Sequence, residues 1–281
     1  MVQGVRVAFE RRGSGRPVAL IHGWQGDHRY MAADLEAVLA EAGDWQRIYL
    51  DLPGHGQTAA PLWLGTQAQV LAILAEALEA ITDGRPFAVA GNSYGGYLTL
   101  GLVRSIPDRL LGAALLVPDL PATDGPRDTP PHVTLVEDPE AFDDLAEDET
   151  WIPDRLVEQS RRAVLEIREH DMPSIRAADQ AFLVRLESNY LLPDALRTSG
   201  APFRRPSLVL TGRQDATVGY EAAWQLRDEF PRATIATLDL AGHWLGRVER
   251  PRLFYGLIHD WLDRIRTGAV ADPPASSIDP G

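Results

Sequence analysis

Residues Phe87–Gly101 read FAVAGNSYGGYLTLG, and their reading decides the fold. A short apolar run of β type (Phe87, Ala88, Val89, Ala90) meets Gly91-Asn92-Ser93-Tyr94-Gly95-Gly96, and a helical pattern carrying Tyr97, Leu98, Leu100 and Leu102 follows at once. The order is strand, sharp turn, helix. A serine on such a turn sits in strained backbone with its hydroxyl projected above the sheet, and glycines two residues to either side let strand and helix approach closely. The bare G-x-S-x-G pattern is common, so its setting carries the information. Without partners elsewhere, the same residues would be a Gly-rich turn bearing a solvated serine.

Outward from this stretch, apolar runs alternate with helical segments. Val5 to Phe9 alternates like a half-exposed strand, and Pro17 to Ile21 is short and apolar enough for a buried one. His22-Gly23-Trp24-Gln25-Gly26 comes next, then a helix from about Arg29 to Ala42, a strand Gln46 to Asp51, and the turn Leu52-Pro53-Gly54-His55-Gly56. A helix from about Thr66 to Ile81 leads into the strand before Ser93, and Leu110 to Val117 forms another strand. Strands alternating with helices of this length imply right-handed crossovers and a doubly wound, mostly parallel α/β sheet.

From Asp119 to about Arg205 the character changes. Prolines cluster at 121, 126, 130 and 131, carboxylates are dense, and helical periodicity runs through 154–169 and 174–190 with no buried-strand pattern between. This reads as a helical lid, with Trp151, Phe182 and Tyr190 as inner-face candidates; each could equally seal the lid's own core. Sheet pattern returns at Ser207 to Thr211 and Thr234 to Leu240, around a helix from about Tyr220 to Phe230, and an amphipathic helix runs from about Pro251 to Arg266. The expected division is a core of residues 1–118 and 206–266, a lid of 119–205, and a disordered Pro- and Ser-rich tail of 267–281.

Composition removes several function classes. The 281 residues carry a net charge of -13, with 45% hydrophobic and 24% charged residues, which is an ordinary globular balance. Every one of the basic side chains is arginine; the absence of lysine excludes Schiff-base chemistry and a Walker-type phosphate loop. An acidic chain repels phosphate backbones and anionic lipids, so neither nucleic acid nor membrane is expected as a partner. With no cysteine there is no disulfide, thiolate ligand or cysteine nucleophile, and a reducing, cytoplasmic setting fits. No apolar run approaches the ~18 residues of a membrane span.

A serine hydroxyl is a weak nucleophile at neutral pH and needs a base, itself oriented by a third group. Downstream, Gly212-Arg213-Gln214-Asp215 follows one strand and Ala241-Gly242-His243-Trp244 follows the next, so the chain order is Ser93, Asp215, His243. All three stand just past the C-terminal ends of strands, where side chains converge over one crevice. No histidine pair has H-x-x-x-H spacing, so a catalytic metal is not expected; His28, His132, His170 and His259 lack a spaced partner. Asp51 reads as a turn-former and the carboxylate run Glu137 to Glu149 as a solvated face.

Taken together, HGWQG, DLPGHG, GNSYGG, TGRQD and AGHW resemble, in order and spacing, the α/β-hydrolase fold superfamily, and closely its small bacterial lid-bearing members. The resemblance covers nearly the whole chain up to about Arg266. It implies a helical lid inserted after the sixth strand, Ser93 as nucleophile, His243 as general base then acid, Asp215 as the carboxylate, and the backbone N–H groups of Trp24 and Tyr94 as oxyanion hole. His22 precedes the oxyanion glycine and is expected to support that loop; it is counted with Trp151, Phe182, Tyr190 and Trp244 as a pocket candidate. The sequence departs from the pattern twice: there is room for only one strand before Pro17, and Asp119 stands where some relatives keep their acid. The implied activity is cofactor-independent hydrolysis of a carboxylic ester or lactone of an apolar small molecule. C–C bond hydrolysis of a diketone-type compound, a lyase or cyclase on the same scaffold, and a non-catalytic ligand receptor are the alternatives.

Overall fold

A computed structural model describes residues 1–122, 127–198 and 200–268. Seven strands form one sheet: β1 (Phe9–Arg12), β2 (Arg16–Ile21), β3 (Trp45–Leu50), β4 (Phe87–Asn92), β5 (Leu110–Leu116), β6 (Ser207–Gly212) and β7 (Ala233–Leu238), in the spatial order β1-β3-β2-β4-β5-β6-β7. Only β1 runs antiparallel, against β3; every other pairing is parallel. Strands β4 and β6 are buried at every position, because helices cover both faces and leave no solvent-facing side to these two strands.

On one face lie α2 (Gln67–Ile81) and α3 (Tyr94–Ser105), with Leu71, Leu74, Leu98 and Leu102 packed against Ile21 and Val89. On the other lie α1 (His28–Glu41) and α9 (Pro251–Arg266), whose Leu35, Phe254 and Trp261 pack against Val18, Ala90 and Leu208. Helix starts are written locally. Asp27 caps α1 by accepting the Arg29 N–H, Thr66 and Gln69 form a capping box on α2, and Pro251 opens α9.

The strand order fixes where a site can form. The chain runs from β2 outward to β3, then crosses back so that β4 lies on the other side of β2. The loops leaving β2 and β4 therefore diverge, and the crevice they open lies at the C-terminal ends of the strands.

Several expectations need correction. The first strand is Phe9–Arg12, not Val5 to Phe9: Val5 is buried against the core, whereas Glu10, Arg11 and Arg12 lie on the sheet edge, where charges stay in contact with water. Because only this strand precedes β2, the helical insertion follows the fifth strand rather than the sixth. The two long helices expected in it are three shorter ones, α4 (Arg161–His170), α5 (Met172–Ala177) and α6 (Gln180–Glu187), followed by a single turn, α7 (Asp194–Arg197). Ser160 and Asp179 act as caps, accepting the N–H groups of Ala163 and Phe182, and Pro173 sits in the first turn of α5. The helix expected to reach Phe230 is the short α8 (Glu221–Trp224) with a 3-10 turn through Arg227.

Within the insertion Ile152, Leu156, Val164, Ile167 and Met172 form a small apolar cluster of their own that also touches Val248. The carboxylates of 137–149 are not simply a solvated face: Asp144, Asp148 and Glu149 pair with Arg161, Arg176 and Arg168, and Glu149 is buried. Of the expected tail, residues 269–281 lie outside the described residues. Among the described residues no helix is long and apolar enough to cross a membrane.

Candidate active site

Ser93 stands between β4 and α3 with φ 51° and ψ -115°, a conformation that costs a non-glycine residue about 1–3 kcal/mol. Its neighbours hold it there. Ser93 donates its N–H to the Leu116 carbonyl at 2.9 Å, and its own carbonyl accepts the N–H groups of Tyr97 and Asp119. A Cβ on Gly91 would lie 2.1 Å from the Gly95 carbonyl oxygen, and one on Gly95 would lie 2.2 Å from that of Ile21, so glycine at both positions follows from close packing.

His243, on the loop after β7, brings Nε2 to 3.0 Å from Ser93 Oγ and Nδ1 to 2.8 Å from Asp215 Oδ2. Asp215 follows β6, is fully buried, and uses its other oxygen to accept the N–H groups of Thr217 and Val218 at 2.8 and 3.0 Å. Its carboxylate is thereby fixed in direction. A neutral His243 ring with a carboxylate at Nδ1 carries its proton there and turns the Nε2 lone pair toward the serine. Burial works against the charged imidazole, but the Asp215 carboxylate outweighs it and holds the His243 pKa above its ordinary value. The arrangement can accept a proton from the Ser93 hydroxyl and hold the resulting imidazolium.

Gly23 brings the β2 loop against this group, since a Cβ there would lie 3.3 Å from Ser93 Cβ. The next residue, Trp24, packs its ring edge-on to Tyr94 at 5.2 Å, and the Tyr94 N–H belongs to the first turn of α3, which has no intrahelical acceptor. His22 does not line the cavity. It is fully buried beneath the loop, where Nδ1 donates to the Gly23 carbonyl at 2.8 Å and Nε2 accepts the Leu52 N–H at 3.0 Å. Burial lowers its pKa, which keeps it neutral for both bonds.

A cavity of about 820 Å³ opens over Ser93 and His243, lined by Trp24, Trp151, Tyr190 and Trp244 among others. Trp151 stacks on Trp244 at 5.5 Å and Tyr190 stacks on Tyr97 at 5.7 Å, so aromatic faces from the insertion and the core meet there. Phe182 is not among the lining residues. It is fully buried with its ring against Gly54, where a Cβ would come within 2.1 Å of Cδ1, and it anchors α6 on the loop after β3.

The cavity also contains polar groups that sequence reasoning passed over, among them Tyr30, Arg127, Arg155, Asp171 and Thr217. Each owes its place to tertiary packing, and no local pattern marks it. His28 does have a partner: its Nδ1 lies 2.8 Å from Asp51 Oδ1, and Asp51 also accepts the N–H groups of His28 and Gln57. Asp51 is thus a buried clamp between two loops. Asp27, His28 and Asp51 are close enough to share a cation, but Asp27 is chelated by Arg29 and Asp51 is filled by these N–H donors. Hydrogen bonding to Asp51 raises the His28 pKa, which favours a donor rather than a ligand.

A sheet with this order, a strained serine after β4 and an imidazole and carboxylate after β7 and β6 define a class, and sequence comparison agrees. The chain belongs to the alpha/beta hydrolase fold family, whose model matches residues 16–247. An alpha/beta superfamily hydrolase from Oenococcus oeni PSU-1 superposes with a TM-score of 0.83 at 27% identity, covering 92% of this chain and 96% of that one. The 2-hydroxymuconate semialdehyde hydrolase of Pseudomonas sp. (strain CF600) is 24% identical, over 95% of this chain and 94% of its own. The dihydrolipoyllysine-residue acetyltransferase component of the acetoin cleaving system of Cupriavidus necator is 36% identical over 118 residues, 42% of this chain; that match spans only 30% of its length.

Proposed function

We propose that the protein is a serine hydrolase that cleaves a carboxylic ester or lactone of an apolar small molecule through an acyl-enzyme on Ser93. What supports this reading is the continuous hydrogen-bonded line from Asp215 through His243 to Ser93, opening into an aromatic cavity. In this mechanism His243 takes the serine proton as Oγ attacks the acyl carbonyl. The N–H groups of Trp24 and Tyr94 receive the developing oxyanion. His243 then gives the proton to the leaving alcohol and activates the water that releases the acid. The protein needs no cofactor for these steps and acts in the cytoplasm, with a small molecule rather than nucleic acid or membrane as its partner.

A fluorophosphonate tests the assignment. The wild type takes up one adduct per chain by intact mass and Ser93→Ala takes up none; equal labelling of the two would refute it. Hydrolysis of a C–C bond is a second reading, favoured by the likeness along almost the whole chain to a relative named 2-hydroxymuconate semialdehyde hydrolase. Product analysis on a vinylogous diketone separates the two.

A further inference from the structure

Each of the two residues that flank His243 is tied to the β5–β6 insertion through a buried carboxylate that the proposed chemistry does not use. On one side, Gly242 donates its N–H to Glu249 Oε2 at 2.6 Å, while Glu249 Oε1 accepts the N–H of Val157, in the insertion, at 3.1 Å. On the other, Trp244 donates Nε1–H to Oδ1 of Asp171 at 2.8 Å, and Asp171 is itself part of the insertion, at the junction of α4 and α5. Only 4% of Asp171 and 4% of Glu249 is exposed.

Carboxylates this deep are costly, and apolar side chains would fill the same space more cheaply. Their surroundings show what they connect. Glu249 lies near the Asp215 and His243 charges. Asp171 Oδ2 accepts from Arg247, whose Nη1 also donates to Asp34 in α1 at 2.6 Å and whose Nε lies 3.3 Å from Glu166. Tyr30 stacks under the same guanidinium, and Arg162 from α4 donates to the carbonyls of Arg247 and Val248. The turn after His243 is therefore held from both sides by insertion groups. There is little slack, because a Cβ on Gly242 would meet Val157 Cγ2 at 3.0 Å.

We infer that Asp171 and Glu249 are positioning residues that make the alignment of His243 with Ser93 depend on the seating of the insertion. The inference rests on the proposed roles of Ser93 and His243. A substrate that seats the insertion also aligns the base, and by linkage an aligned base favours the seated insertion. If the insertion lifts, Glu249 loses Val157 and Trp244 loses Asp171 together, and the turn that holds Nε2 against Oγ is loosened on both sides. Burial raises the Glu249 pKa to about 7 and that of Asp171 to about 6, so each carboxylate gives up its charge in mildly acid solution.

Glu249→Gln and Asp171→Asn test this as two independent near-isosteric changes, with His243→Ala as control. Both variants are expected to lower kcat about 10- to 100-fold, the cost of a small misplacement, with KM little changed. In 15N-histidine NMR titrations Glu249→Gln is expected to lower the His243 pKa, because it removes a negative charge that favours the imidazolium. Hydrogen exchange is expected to quicken together in residues 151–177 and 241–249. An unchanged His243 titration with exchange altered in the insertion alone would overturn the inference, as would wild-type kcat in both variants. Full activity of His243→Ala would instead refute the proposed catalytic role, and the NMR and exchange measurements would still decide the coupling.

Discussion

Tyr190 donates its hydroxyl to Asp119 Oδ2 at 2.6 Å, and Arg127 Nη2 lies 2.5 Å from the other oxygen of the same carboxylate. Asp119 is therefore committed on both sides, while His243 Nδ1 faces Asp215. The rival acid suggested by the sequence is a link between β5 and the insertion. Asp215→Asn is expected to lower kcat by up to ~10⁴, since the amide neither selects the tautomer nor stabilises the imidazolium. Asp119→Asn should cost far less, within about tenfold, through the looser seating of Tyr190. Steady-state rates on a p-nitrophenyl ester, with circular dichroism as a fold control, check both; the reverse order would make Asp119 the acid.

The acid limb of kcat/KM reports His243 in the free enzyme. Burial lowers its pKa and Asp215 raises it by more, so the net shift is upward and the imidazolium persists to higher pH than in a free side chain. Activity should fall as pH drops through a midpoint above the ordinary imidazole value of about 6.5. A profile from pH 5 to 9 with its midpoint well below 6 would contradict this.

Glycines divide sharply by what surrounds them. At Gly91 and Gly95 a methyl group would strike backbone carbonyls at 2.1 and 2.2 Å, and backbone on both sides of the elbow cannot yield cheaply. Alanine at either position is expected to cost about 3 kcal/mol or more, a fall in Tm of roughly 6 °C or beyond. Gly256 in α9 has open space around it, so Gly256→Ala should raise stability by up to about 1 kcal/mol. Thermal melts of the three variants check the contrast.

Glu249 gives a stability signature with a definite sign. Its folded pKa is raised from 4.5 to about 7, so the native state holds a proton that the unfolded chain has already lost across that interval. The group's favourable contribution is complete below pH 4.5 and is lost as pH rises through 7, a change on the order of 3 kcal/mol. The stability of Glu249→Gln, which cannot ionise, should therefore rise relative to wild type by that amount between those values and the difference should stay constant above them. Denaturant titrations from pH 4 to 8 measure the difference; a pH-independent difference would show that Glu249 does not titrate there.

The aromatic walls suit an apolar acyl group. Each additional buried methylene should contribute up to about 0.8 kcal/mol, so kcat/KM should climb along a p-nitrophenyl ester series from acetate and decline once the cavity is full. A steady decline from acetate onward would point to a small polar site.

What could be read from the sequence is what local chemistry writes. Ser93, Asp215 and His243 each follow an apolar run short enough to be a buried strand, and Gly91 and Gly95 mark the tight turn, so the central geometry followed from periodicity and a motif. Trp24, Tyr94, Trp151, Tyr190 and Trp244 do lie at the cavity or beside the serine. Phe182 and His22 do not, because the direction a side chain faces within an insertion or beneath a loop depends on partners far along the chain. Asp171 and Glu249 were hidden for the same reason: a carboxylate near a helix end reads as surface until something buries it. FERR carries a weak apolar signal and pairs on one side only, so periodicity sets strand β1 a few residues too early.

That same strand gives the molecule two unlike borders. Along β1, Arg12 pairs with Glu10 at 2.8 Å, and Arg11 reaches the Ile81 carbonyl, so a second chain seeking to extend the sheet there would have to displace or desolvate fixed charges. The opposite border, β7, reads ATIATL with no charged residue, and among the described residues β6 is its one strand neighbour. When heating loosens this protein, strand-to-strand self-association should begin at Ala233–Leu238, and a lysine or glutamate placed at a solvent-facing position of β7 would be the most direct way to keep the heated chain in solution.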